Sequence, residues 1–265
     1  QVLVMSPAAV PVWLAGLAFY FGPRGRRHRW LAWIWIAVIA LLMASGTARS
    51  NYSGPAYGVL LAAGGVGIEA FARRGVRRIV PALLGAMLLV VGIGAAPMAI
   101  PLLPPPELVR YSDALGLAPP QDERDASGLL PLHFALRFGW SELVEAVAGA
   151  ADTLSPGERL HAVVLAPNFG AAGALSFHRR ARGLPPAVSG HNSWWLWGPG
   201  ETDGEVILAI AEDPRALERA YRSVEAVADV DCDLCRPEVA RYRVYVCRGL
   251  RRPLAELWVE LKRYI

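Results

Sequence analysis

The alternation of long apolar runs with arginine-rich loops in the first 103 residues constrains this chain more than any other feature. Apolar runs cover about 4–21, 30–45, 55–72 and 79–103, each near the ~20 residues that a helix needs to cross the hydrocarbon core. Between the first two runs lies "GPRGRRHRW", with Arg24, Arg26, Arg27 and Arg29; between the last two lies "RRGVRR", with Arg73, Arg74, Arg77 and Arg78. The middle loop carries only Arg49. Cationic loops stay on the cytoplasmic side, so both clusters are expected inside, and Arg49 and everything after residue 103 outside. The expected fold is a membrane all-α segment of four transmembrane helices followed by an extracytoplasmic α/β sandwich domain, multi-pass in the cell membrane.

Composition and charge break at the same point. Hydrophobic residues make up 54% of the chain, above the roughly 45–50% of soluble domains, and the excess falls before Pro104. Nine arginines and one carboxylate precede Pro104; eighteen Lys+Arg and twenty-two Asp+Glu follow it. The positive charge thus belongs to short loops while the second part is acidic, which excludes a nucleic-acid partner. Glu69, the one carboxylate within a span, stands one helical turn before Arg73 and reads as an i,i+4 ion pair. The chain begins at Gln1 in an apolar context without an initiator Met or a charged leader, so it reads as a fragment.

Residues 104–128 read as a proline-rich connector, semi-extended where prolines cluster. An α/β pattern follows over 129–265. Helical spacing covers 141–154, 171–182, 214–223 and 253–264; strands are expected at 161–166, 205–212, "VEAVADV" and "YRVYVCR".

Candidate chemistry is sparse. In "APNFGAAGAL" a buried strand turns into a helix at Asn168, Phe169 and Gly170, where free N–H groups could receive an anion or simply form a structural turn. His191 and Asn192 open "HNSWWLWG"; the histidine could act as a base or make a buried hydrogen bond. Trp195 and Trp197 alternate with Leu196 and would share one strand face, with Trp194 on the other, to stack on sugar, lie at a lipid surface or pack within the domain. "CDLC" lacks the long following helix of a redox site, and zinc lacks a fourth ligand. An oxidising compartment predicts one disulfide among Cys232, Cys235 and Cys247, its pairing open. Neither a metal nor a cofactor is expected in this chain. Arg49 sits at the outer membrane edge with Tyr52 and Tyr57, to hold the phosphate of a lipid carrier or to snorkel.

The run "SNYSGPAYGVLLAAGGVGIEAF" resembles the late transmembrane region of bacterial family 39 glycosyltransferases, relatives of the dolichyl-phosphate-mannose protein mannosyltransferases and the lipid A aminoarabinose transferase. "LVRYSDALGL", "APNFGAAGALSF", "SGHNSWWLWGPG" and "YVCRGLRRPLAELWVELKRY" are similar to the outer domain of one branch. The resemblance covers nearly the whole chain; Arg49 stands near the family's usual lysine, Asn51 replaces a tyrosine, and Gly58 stands in place of a proline. It implies a membrane enzyme that transfers a sugar from a polyprenyl-phosphate carrier to a glycan, lipid or protein acceptor on the outer face. It also implies that the catalytic carboxylate, and a divalent metal where the family has one, lie upstream of Gln1. The outer loop 47–54 agrees, for it holds no carboxylate to deprotonate an acceptor. The alternative is a non-catalytic, membrane-anchored α/β module that binds a glycan or a partner enzyme.

Overall fold

The computed structural model describes residues 5–45, 50–73, 75–116 and 128–264. The chain divides into two compact units, Gln1–Pro104 and Pro105–Ile265.

The first unit holds α1 (Val10–Phe21), α2 (Arg29–Ser45), α3 (Gly58–Ala72) and α4 (Val80–Ala99). With the short 3-10 turns that lead into them, three stretches are long and apolar enough to cross a membrane: Arg26–Ser45, Tyr52–Ala72 and Arg77–Ala99. The first apolar helix, Pro7–Phe21, is shorter, about 22 Å at 1.5 Å per residue. Backbone touches backbone between α1 and α3. A Cβ on Gly16 would lie 2.0 Å from the Leu60 carbonyl oxygen, and one on Gly64 1.9 Å from that of Val12, so neither position tolerates a larger residue. Such close approach through small residues is how helices associate where lipid offers no hydrophobic drive. Tyr20 locks the pair by donating its hydroxyl to the Val59 carbonyl at 3.0 Å. On α2, Trp35 meets Tyr57 and Trp13, at ring distances of 5.4 and 6.0 Å. α4 is apolar throughout and has no buried residue. The Glu69–Arg73 pair forms as the spacing predicts, at 3.5 Å.

The second unit opens with α5 (Pro105–Ala114), which buries Leu108 and Ser112. The sequence reading has an extended connector here; prolines in a first helical turn lack only N–H groups that would be orphaned anyway, so they start this helix instead of preventing it. Then follow α6 (Leu132–Ala135), α7 (Trp140–Asp152), α8 (Pro156–His161), β1 (Val163–Leu165), α9 (Phe169–Arg182), β2 (Ala187–Val188), β3 (Val206–Ala211), α10 (Arg215–Ala220), β4 (Tyr221–Asp229), α11 (Pro237–Ala240), β5 (Arg243–Leu250) and α12 (Leu254–Glu260). The sheet order is β2-β1-β3-β5-β4. β2, β1 and β3 run parallel, whereas β5 is antiparallel to both β3 and β4.

Strand alternation sorts the core onto two faces. Val164, Leu208 and Val246 stand in register on one face and pack with Leu143, Val147 and Leu175 of α7 and α9. Val163, Ile207 and Cys247 stand on the other with Leu217 of α10 and Trp258 of α12. The sandwich therefore has helices on both sides of a mixed sheet. Two expected helices are shorter than their periodicity suggests. The helix at 214–223 gives way at Tyr221, because β5 offers a free edge for β4 to pair with. That at 253–264 stops at Glu260, which frees the following residues for the contacts described next.

Candidate functional site

Ligands of open α/β sheets gather outside the carboxyl ends of the strands, where strand order reverses. Here the chain passes from β1 out to β2 and then back across β1 to β3, so the reversal lies at β1. The residues that converge there come from the ends of β1 and β2, the start of β5 and the segment after α12.

Asn168 caps α9 from an extended conformation, its Oδ1 accepting the Ala171 N–H at 2.9 Å. The Phe169 N–H donates to His191 Nδ1 at 3.2 Å, and the two rings stack with centroids 5.2 Å apart. Two N–H groups of the helix terminus are thus satisfied within the chain. His191 is 4% exposed, and burial together with the nearby Arg263 charge pushes its pKa below the ordinary histidine value. It is a neutral imidazole whose Nδ1 accepts, so the proton sits on Nε2. That Nε2 is buried and meets no hydrogen-bond partner among the described residues.

The loop that carries His191 is held from several sides. Its own N–H donates to Ser189 Oγ at 3.3 Å. Arg263 forms a parallel bridge with it, the Arg263 N–H donating to the Gly190 carbonyl at 2.9 Å and its carbonyl accepting from the Asn192 N–H at 2.8 Å. The Arg263 guanidinium reaches on to the Pro167 carbonyl at 2.8 Å. Gly190 is required by this closure, since a Cβ there would lie 2.1 Å from the Leu261 carbonyl oxygen. Tyr242, just before β5, hydrogen-bonds the Asn168 side chain; burial raises its pKa, so it remains a phenol.

The tryptophans do not form a strand. Asn192 turns the chain with φ of 53°, and Asn192–Trp197 is a 3-10 helix. At three residues per turn, positions three apart share a side. Trp194 therefore pairs with Trp197, at 4.7 Å, where strand alternation would have paired Trp195 with Trp197. Trp194 packs on the α7–α9 side of the sheet and Trp195 on the α12 side. Trp195 and Trp258 exchange indole N–H donors for each other's carbonyls at 2.8 and 3.2 Å, and Lys262 Nζ lies 4.4 Å from the Trp195 ring centroid. Leu196 and Trp197 are left outside, 66% and 71% exposed.

Asn168, Phe169 and Gly170, and His191 and Asn192, which the sequence offered as separate candidates, meet at this strand end, joined by Ser189, Tyr242 and Arg263. Gly170 faces the Trp140 ring. Nothing local marked Arg263, which lies 96 residues from the carbonyl it grips. In the first unit Tyr52 is exposed, whereas Tyr57 is buried among Trp13 and Trp35; Arg49 lies outside the described residues.

The expected disulfide is absent: all three cysteines are free thiols. Cys247 is fully buried in β5 opposite Ile207. Cys232 and Cys235 lie instead against Gly139 at the start of α7, with Cys235 Sγ donating to the Cys232 carbonyl at 3.0 Å. Register in the sheet thus removes Cys247 from any pairing. Burial pushes the Cys235 and Cys247 thiols up to about 12, which keeps both protonated and poor nucleophiles. Among the described residues no group of three or more His, Cys, Asp or Glu side chains could hold a metal ion.

Chemically, the cluster offers a neutral, desolvated N–H donor and one guanidinium at the end of a parallel strand pair, with the Glu238 carboxylate near enough to Tyr242 to act on it. Compared with family models, with curated proteins and with solved structures, the chain has no match.

Proposed function

We propose that the chain is part of an integral membrane glycosyltransferase that takes its sugar from a polyprenyl-phosphate carrier. In this reading all four apolar helices span the membrane, the α/β unit lies on the outer face, and Arg49 with the exposed Tyr52 receives the carrier phosphate, while Tyr57 packs inside the helices. The carboxylate base comes from a segment outside this chain. The observation that carries the reading is the arrangement of apolar helices separated by arginine-rich, arginine-poor and arginine-rich loops, together with the resemblance of "SNYSGPAYG" and "SGHNSWWLWG" to family 39 enzymes. Leu196 and Trp197, exposed on a doubly anchored turn, suit a lipid or sugar surface.

Placement is tested by a reporter active only outside the cytoplasm: active when fused after Ile265, silent when inserted in the loop 22–29. The opposite pattern rejects the placement. Carrier recognition is tested by binding of a polyprenyl-phosphate-linked sugar to the chain in nanodiscs. Arg49→Ala is expected to weaken binding about ten- to a hundred-fold, the loss of one charge-assisted contact. Binding that ignores the substitution removes Arg49 from the reading.

One observation favours the second reading, an anchored binding module without catalysis. Asn168 and His191 are both occupied in capping α9, and the carboxylates that follow β3, Glu212 and Asp213, are each paired with an arginine, Arg241 and Arg215. Sugar transfer by a longer chain that carries the upstream segment, lost when this α/β unit is deleted, decides for the enzyme.

A further inference from the structure

The carboxyl-terminal half of α9 has a surface feature that the fold does not use. Phe177 is 84% exposed, although burying such a ring stabilises a fold by about 1.5–3 kcal/mol. Beside it opens a depression of about 550 Å³ lined by Ser176, Phe177, Arg179, Arg180, Gly183 and Leu184. His178 sets its ring edge-on to Phe177 at 5.0 Å. Arg182 is tied to Glu145, whereas Arg179 and Arg180 have no carboxylate partner among the described residues. Two uncompensated guanidiniums thus flank an exposed ring in the acidic part of the chain.

Cations in a last turn complement the helix dipole, which accounts for the sign of the charge. It does not account for the exposed ring or the depression. Both fit an occupant with an anionic group directly beside apolar matter. A phospholipid surface has that form: phosphate oxygens match the planar fork of arginine, and an aromatic ring settles at the headgroup boundary. The same chain provides the surface, through three helices long and apolar enough to cross a bilayer.

We infer that Phe177, Arg179 and Arg180 form a docking face for the anionic phospholipid headgroups of the bilayer. The inference requires only that the apolar helices lie in a membrane; it does not depend on sugar transfer. It is tested on the full chain in nanodiscs with Phe177→benzoylphenylalanine, irradiated and examined by mass spectrometry. Phospholipid adducts are expected, in higher yield with phosphatidylglycerol present than with phosphatidylcholine alone. Arg179→Gln and Arg180→Gln each lower that yield about fivefold, and added salt lowers it further. Adducts only to a second copy of the chain, or a yield indifferent to lipid charge and to both arginines, overturn the inference. Because both arginines are on the surface, an unchanged circular dichroism spectrum shows that a lost adduct is not a lost fold.

Discussion

The two ends of α9 are treated in opposite ways. At its amino end Asn168 and His191 take up N–H groups, Arg263 closes over the loop, and the histidine is almost wholly excluded from water. At its carboxyl end Phe177 and two arginines without a carboxylate partner among the described residues stand in solvent beside a depression. The comparison teaches that a helix terminus with polar residues around it is not thereby a ligand site. Polar groups bound to one another or shut away from water hold structure; exposed groups without partners are available to bind.

A substitution series breaks or sharpens this contrast. His191→Ala takes the partner from the half-buried Phe169 N–H and leaves a cavity where the buried imidazole sat, so urea unfolding is expected to lose about 2–4 kcal/mol. Asn168→Ala removes one cap, about 1 kcal/mol. Phe177→Ala, at the open end, changes stability by less than about 0.5 kcal/mol. Equal losses at 177 and 191 would mean that the outer ring also belongs to the core.

The smallest effect is a pH dependence. The His191 pKa is lowered in the folded chain from the value of 6.5, so below that value the unfolded chain binds the proton first. Stability is therefore full above about pH 6.5 and falls as pH drops toward the folded pKa. His191→Gln should remove this contribution below about pH 6.5, and an unchanged acid profile would show that the imidazole is not desolvated. Glu158 contributes separately at lower pH: Arg248 and the Ser155 cap hold its pKa at about 2, so its contribution is lost only as pH falls through 4.5 toward that value.

Much of the architecture was legible where one local rule acted alone. Apolar length gave the long helices of the first unit, and the switch from a buried strand to a capped helix gave β1 and α9 around Asn168. The Trp194–Trp197 turn was misread because "WWLW" fits periods of two and three equally well over so short a run; Asn192 at positive φ decides between them. The Pro105–Ala114 helix was hidden by counting prolines without asking whether they stood in a first turn. Arg263 was invisible for a different reason. Its role comes from a strand-like bridge to residue 191 that only the assembled sheet creates.

The reciprocal indole bonds between Trp195 and Trp258 also set a schedule. The partners lie 63 residues apart, and a ribosome adds about 5–20 residues per second. For several seconds of synthesis the His191 loop therefore has neither Trp258 to pin it nor Arg263 to close it, while β1 and α9 have already been made. During that interval the residues that cover His191 in the folded chain have not yet been made.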